Sequence, residues 1–164
     1  MIPQPVAEPA GSPLTLRAFA PADYDELISW FPADAELELF TGVAGMWPLT
    51  TEKLEQRQLQ PGVRAYSAVL EPSTLAGHVE LVEIEPERVR FVRVAVAPRL
   101  RGHGLVGHLL DLAFEEARGS GATTVELHVV PGNVPALRSY ERAGFVDAGK
   151  NPAHPQFIWM TRAL

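Results

Sequence analysis

Two hydrophobic periods organise this chain. Leu14, Leu16 and Ala18 alternate with Thr15 and Arg17, a period of two that predicts a short strand. The period then lengthens: Tyr24, Leu27, Ile28 and Phe31 share one helical face over Asp23–Phe31, which Pro32 ends. Asp34–Phe40 predicts a second short helix closed at Thr41-Gly42. Thr50 or Thr51 caps a third, which runs to Leu59 before Pro61-Gly62 breaks it. Period two returns in Arg64–Leu70, Leu75–Ile84 and Arg88–Val96, joined through Glu71-Pro72-Ser73 and Glu85-Pro86-Glu87. Connections that short make hairpins, so these three strands are expected to be antiparallel.

A longer helix follows over Gly104–Arg118, with Leu105, Leu109, Leu112 and Ala113 on its buried stripe and a stop at Gly119-Ser120-Gly121. Thr123–Val130 predicts a strand with Val125, Leu127 and Val129 on one face. Asn133-Val134-Pro135 opens a last helix with proline in its first turn, Gly144 closes it, and Phe145–Asp147 and Phe157–Arg162 finish the sheet. From Arg88 to Val130 the order is strand, helix, strand, a crossover that makes the two strands parallel. The expected fold class is therefore α/β in the mixed, α+β sense. It is one domain over residues 14–164, with a mostly antiparallel central sheet, one parallel crossover pair and helices on both faces.

Composition narrows the chemistry. With 46% hydrophobic residues in 164, the chain can fill a core of its own. It has no cysteine, which removes disulfides, thiolate metal sites and a cysteine nucleophile. Residues 1–13 hold four prolines with glycine and serine and predict a mobile tail without the basic and apolar regions of a secretory signal. No apolar run reaches the length of a membrane span, so a soluble cytoplasmic protein with no membrane partner is expected. The net charge of −6 argues against nucleic-acid binding. Against that background Arg88, Arg90, Arg93, Arg99 and Arg101 crowd into fourteen residues, either as a solvated strand edge or as a local anion site.

The stretch Val94–Leu110 favours the anion site. A buried strand ends at Pro98, a glycine-containing turn follows, and an apolar helix begins. Unpaired amides at such a helix start carry partial positive charge and accept phosphate oxygens, and glycine keeps a Cβ out of their way. A P-loop is excluded because GxxxxGK[ST] is absent, and a dinucleotide fingerprint fits poorly so late in the chain. Arg101-Gly102-His103-Gly104-Leu105-Val106 resembles the Gln/Arg-x-x-Gly-x-Gly/Ala signature of the GCN5-related N-acetyltransferases, with Val106 where the signature has Gly or Ala. A second register, Arg99-Leu100-Arg101-Gly102-His103-Gly104, fits letter by letter but starts the helix earlier. About thirty residues on, Asn133-Val134-Pro135-Ala136 through Tyr140 to Gly144-Phe145 is similar to a second segment of that family, Asn-x-x-Ala-x-x-x-Tyr-x-x-x-Gly-Phe.

The resemblance implies a single-domain GNAT-like fold and an enzyme that transfers the acetyl group of acetyl-CoA, as co-substrate and without a metal, to a primary amine by direct attack. The acceptor would be a peptide or a small cationic amine, the latter also suiting the acidic net charge. By the same resemblance Val94, Ala95 and Val96 line the pantetheine arm. Arg101, Gly102, His103, Gly104, Leu105 and Val106 cradle the pyrophosphate, and Asn133, Ala136 and Tyr140 complete the cofactor site. Tyr140 would protonate the leaving thiolate, since a phenol near pKa 10 can donate to a thiolate near 8–9; as a core side chain it would equally fit the Ala136–Ala143 face.

The base is open between His128, at the strand end where some peptide-acetylating relatives carry a glutamate, and Glu80 or Glu83 on an earlier strand. The glutamate that histone-acetylating relatives carry would fall near Arg90. Its importance depends on the acceptor, because neutralising a lysine-type ammonium at pH 7 costs about 4.6 kcal/mol and an α-amine far less. His78 and His103 lack metal-ligand spacing. Trp30, Phe31, Phe40, Met46 and Trp47 fall in the region where the family builds its acceptor pocket. The competing readings are a noncatalytic acyl-CoA-binding sensor or interaction module and a nucleic-acid binder. Family members pair through sheet edges or helices, which implies a homodimer.

Overall fold

The computed structural model describes residues 14–164; the tail expected over residues 1–13 lies outside the described residues. Seven strands form one sheet in the order β1-β2-β3-β4-β5-β7-β6, with β1 Leu14–Ala18, β2 Val63–Leu70, β3 Thr74–Glu85, β4 Arg88–Val96, β5 Thr124–Val129, β6 Val146–Asp147 and β7 Ile158–Ala163. All neighbours are antiparallel except β4 and β5. That exception follows from the crossover helix α4, Leu105–Gly119, which returns the chain to the same sheet edge.

The remaining helices are α1 Tyr24–Ser29, α2 Asp34–Thr41, α3 Thr51–Gln58 and α5 Val134–Arg142. Their ends have local causes. Thr50 Oγ1 accepts from the Lys53 amide at 3.2 Å and caps α3. Gly42, at φ +75, closes α2 in a conformation that costs other residues about 1 kcal/mol or more. Asn133 Oδ1 accepts from the Ala136 amide at 3.4 Å and starts α5.

Two apolar clusters flank the sheet. On one face α4 buries Leu105, Leu109, Leu110, Ala113, Phe114 and Ala117 against Val79, Leu81, Phe91, Val125 and Leu127, and α5 rests its half-buried Ala136, Leu137 and Tyr140 on the same cluster. The buried stripe of α4 thus runs through Leu110 and Phe114, and Leu112 is only half-buried. On the other face α1–α3 bury Tyr24, Leu27, Trp30, Phe31, Leu37, Phe40 and Leu54 with Leu75, Ala95 and Ala97.

The seat of α4 is tight. A Cβ on Gly77 of β3 would stand 3.1 Å from the Ala95 carbonyl oxygen and 3.2 Å from Leu109 Cδ2. Gly77→Val should therefore lower stability by about 1–3 kcal/mol, seen as a lower urea midpoint with an unchanged slope.

Candidate functional site

β4 and β5 hold together only through Arg88, Val89 and Arg90, opposite Thr124, Val125 and Glu126; from Phe91 on, β4 has no partner on that side. A bulge accompanies the separation. Arg93 and Val94 together face Val79, since the ladder to β3 passes from Glu80↔Val92 directly to His78↔Ala95. Arg93 takes φ +51, a left-handed conformation uncommon outside glycine, asparagine and aspartate. The bulge bends the strand and re-aims its side chains.

Two cavities open along the gap. The first, about 500 Å³, runs from Phe31, Leu39 and Phe40 past Val94, Ala95 and Val96 to Arg101, Gly102, Gly104, Leu105 and Val106, with Asn133, Ala136 and Tyr140 opposite. It gathers every cofactor residue expected from the sequence except His103, which is exposed and lines neither cavity. Gly102 and Gly104, at φ +83 and +74, shape the turn at its mouth. A Cβ on either would meet nothing within 4 Å, so backbone conformation is what calls for glycine there. The helix begins at Leu105 with Gly104 as its cap, so the register from Arg101 to Val106 ends inside the first turn and the one from Arg99 to Gly104 ends before it. Amides of residues 102–107 make no turn or loop bond to another backbone group, and those of the first turn have no intrahelical acceptor. Arg101 Nε donates to the Val96 carbonyl at 3.2 Å and ties the turn to the end of β4.

The second cavity, about 360 Å³, lies on the other side of Tyr140, between Leu39–Val43, Arg57, the Arg90–Val94 stretch, His128 and the Asn133–Tyr140 face, with His154, Gln156 and Phe157. Leu39, Phe40, Val94, Asn133, Ala136 and Tyr140 line both cavities. The half-buried Tyr140 ring packs edge-on against Phe145 at 5.9 Å, and Phe145 sits among Phe91 and Phe114. Burial pushes the phenol up to about 12, and its hydroxyl has no hydrogen-bond partner among the described residues.

His128 is half-buried, 3.4 Å from the Asn151 amide nitrogen and 4.9 Å, ring to ring, from His154. Burial, then Arg90 and His154, lower it to about 4 against the opposing pull of Glu126. Glu80 is 2% exposed and lines neither cavity. It accepts from Arg57 Nε at 2.8 Å, with His78 at 3.7 Å and Arg93 at 3.9 Å. Burial works against its charge, but His78, Arg93 and Arg57 together hold its carboxyl below the usual range. Glu83 is exposed and lines neither cavity.

The five arginines do not form one anion site. Arg99 pairs with Glu26 at 2.6 Å and Arg101 borders the first cavity. Arg90 and Arg88 flank the buried Glu126 at 3.1 and 3.7 Å, and Arg93 lines the second cavity. Strand alternation and the bulge scatter what is adjacent in sequence. Of the apolar residues expected around an acceptor, Phe31 and Phe40 line a cavity. Trp30 is core, Met46 packs on its edge, and the half-exposed Trp47 donates to the Phe31 carbonyl. Arg57 and His154 escaped sequence reasoning: one sits on the polar side of a short helix, the other in the loop before β7, and neither position carries a periodic signal.

Comparison with known proteins gives this arrangement its class. The chain belongs to the acetyltransferase (GNAT) family, whose model matches residues 24–145. It is 36% identical over 109 residues to a mycothiol acetyltransferase of Brachybacterium faecium, a match covering 63% of this chain and 33% of that protein. The chain spans about a third of the length of that relative, and 41% of the length of a mycothiol acetyltransferase of Corynebacterium glutamicum is matched, at 28% identity. The fold is that of the spermidine N-acetyltransferase of Vibrio cholerae solved with coenzyme A and spermine. The TM-score is 0.73 and the identity 23%, over 92% of this chain and 95% of that one.

The surroundings of His128 set its titration. Its NMR resonances should shift with a midpoint near 4 instead of 6.5, and Arg90→Met should raise that midpoint by removing a neighbouring positive charge. Because the folded value lies below the unfolded one, the stability His128 contributes is complete above pH 6.5 and is lost as pH falls toward 4.

Proposed function

We propose that this chain transfers the acetyl group of acetyl-CoA to a primary amine by direct attack, with Tyr140 as the group that protonates the leaving thiolate. One observation carries the reading. Tyr140 is the titratable side chain shared by both cavities, and its hydroxyl is free to donate to a ligand. The residues present fit acetyl-CoA. The unpaired amides of residues 102–107 offer a place for a pyrophosphate, and the unpaired edge of β4 at Phe91–Val96 offers backbone groups to an amide-bearing arm. Val94 suits that task best, having no ladder partner on either side, whereas the Val96 carbonyl already accepts from Arg101. Val106 is half-buried and packs on the core, so its side chain is compatible with phosphate at the neighbouring amides.

Acetyl-CoA supplies an acyl group already activated as a thioester. The protein's task is then to present a neutral amine and to return a proton to sulfur. A phenol held near 12 stays protonated at physiological pH. Full transfer to a free thiolate near 8–9 is uphill by about 4–5 kcal/mol, so Tyr140 hydrogen-bonds the sulfur as the C–S bond breaks, and its proton moves only as the newly acylated nitrogen returns one to the phenolate.

His128, near 4, is neutral throughout that range. Stripping a lysine-type ammonium of pKa about 10.4 would be uphill for it by about 9 kcal/mol. We read it as a neutral wall group held by Asn151, whose amide N–H faces the ring's one acceptor nitrogen. The amine gives its proton to solvent water before or on entering a cavity walled by Arg57, Arg90 and Arg93, because nearby positive charge disfavours the ammonium form. Glu80 positions Arg57 and Arg93, and Glu126 positions Arg90. Use of acetyl-CoA supports a cytoplasmic place of action. Among the described residues no helix is long and apolar enough to cross a membrane.

Thiol release from acetyl-CoA over a panel of amines and peptides tests the assignment. Tyr140→Phe should lower kcat about 10²- to 10⁴-fold while leaving coenzyme A affinity unchanged. Cofactor binding with no release on any acceptor would replace the transferase by an acyl-CoA sensor. In the wild type kcat/KM should rise with pH up to the acceptor's own pKa, with no inflection near 6.5, because His128 does not titrate there.

A further inference from the structure

The wall of the second cavity has an unusual charge balance for an acidic protein. Arg57, Arg90 and Arg93 line it with His128 and His154, and no aspartate or glutamate does. Behind the wall two buried carboxylates each face two guanidiniums, Glu80 with Arg57 and Arg93, and Glu126 with Arg90 and Arg88. Arg88 also meets Glu85 at 3.5 Å, so four cations face three anions and the group keeps one positive charge in excess.

The excess is concentrated at Arg93. Arg57 donates to Glu80 and to Gln60, and Arg90 donates to Glu126 at 3.1 Å. Arg93 donates no hydrogen bond to any described residue. It has one distant ionic contact, Glu80 Oε2 at 3.9 Å, and its guanidinium carbon lies 5.9 Å from the centre of the Phe40 ring. Its side chain is nonetheless only 11% exposed, and it stands on the bulge at φ +51. A guanidinium has five N–H donors, and the Arg93 nitrogens, unbonded to protein, reach only the water of the cavity. Burial pushes Arg93 below the ordinary arginine range; Glu80 opposes that shift and Arg57 adds to it. A largely buried cation on a left-handed bulge, with no hydrogen bond to protein and its nitrogens open to a cavity, is a group prepared for an anionic partner.

We propose that the acetyl acceptor is a carboxylate-bearing primary amine of amino-acid or dipeptide size, its carboxylate held by the Arg93 guanidinium with Arg57 and Arg90 beside it. This rests on the acetyltransferase reading of the same site. One planar guanidinium matches one planar carboxylate through paired N–H bonds, whereas the excess charge around it repels a polyamine. Leu39, Val43, Val92 and Phe157 supply an apolar wall for the rest of the molecule, and the volume of about 360 Å³ sets its size. The cationic wall that disfavours the acceptor's ammonium form is then balanced by the acceptor's own carboxylate.

The test compares phenylalanine, phenylalaninamide, phenethylamine, phosphoethanolamine and spermidine as acceptors, by thiol release and by calorimetric binding to the coenzyme A-loaded protein. Phenylalanine should exceed its amide and phenethylamine by about tenfold or more in kcat/KM, the effect of one charge-assisted bond pair. Arg93→Asn, whose new residue tolerates the left-handed backbone, should erase that preference, raising KM for phenylalanine and leaving KM for phenethylamine where it was. Arg93→Lys should restore part of it, and coenzyme A affinity in both variants checks that they fold.

Equal use of phenylalanine and its amide would overturn the proposal and leave the transferase standing. So would a preference for spermidine, or a carboxylate preference that survives Arg93→Asn. Preference for phosphoethanolamine over phenylalanine would overturn the carboxylate in favour of a phosphate. Tighter binding of phenylalanine than of its amide, lost in Arg93→Asn but without thiol release, would support the anion site while overturning the transferase reading.

Discussion

Everything at the site depends on two strands that pair for three residues and then part. β4 and β5 are joined through Arg88–Arg90 and Thr124–Glu126, and beyond that point the sheet is open in its middle. A sheet interior normally satisfies its backbone groups through both neighbours. Here the stretch from Phe91 to Val96 keeps one neighbour only, and both cavities are the space so created. The opening is held at a fixed width from its closed end. Glu126, buried on β5, accepts from Arg90 of β4 at 3.1 Å and from Trp159 Nε1 of β7 at 3.2 Å, so one carboxylate fastens three strands where the separation starts.

Either side of the opening is braced by different chemistry. Toward α4 and α5 the bracing is apolar. Phe91, Phe114 and Phe145 pack within 5.4–6.4 Å of one another, and Arg162 lies 4.1 Å over the Phe114 ring while donating to the Ala143 carbonyl at the end of α5. That assembly fixes α5 and with it Tyr140. Toward α2 and α3 the bracing is ionic and aromatic, with Glu80 and Arg57 beneath, and His78 wedged between Phe19 at 4.6 Å and Phe40 at 5.8 Å. Both ring nitrogens of His78 lack a hydrogen-bond partner among the described residues, and Nε2 approaches Glu80 Oε2 at 3.7 Å.

The elements themselves were legible because each rests on a local signal. Period two marked the hairpin strands, glycine marked the end of α2 at Gly42 and of α5 at Gly144, and the crossover from Arg88 to Val130 dictated the parallel pair. The residues around the first cavity were legible too, since a turn that feeds a helix puts neighbours in sequence around one mouth. His103 is the exception, pointing away from a turn whose work falls to backbone. The second cavity was not legible in the same way. Its wall draws on α2, α3, β4, β5, α5 and the loop before β7, and Arg57, His128 and His154 come from three of those. The arginine run misled for a related reason, since a strand alternates its faces and a bulge resets the alternation at Arg93.

That the two cavities meet at six residues and are otherwise built from different parts of the chain has a consequence for evolvability. The glycine turn and the start of α4 can stay constant under selection for the shared acyl carrier. Meanwhile the end of α2 and the loop before β7 are free to diverge, since substitutions at Val43 or His154 touch neither the turn nor the seat of α4. On the function proposed above, descent with a fixed donor half and a drifting acceptor half lets one ancestral scaffold radiate into enzymes that differ in what they modify.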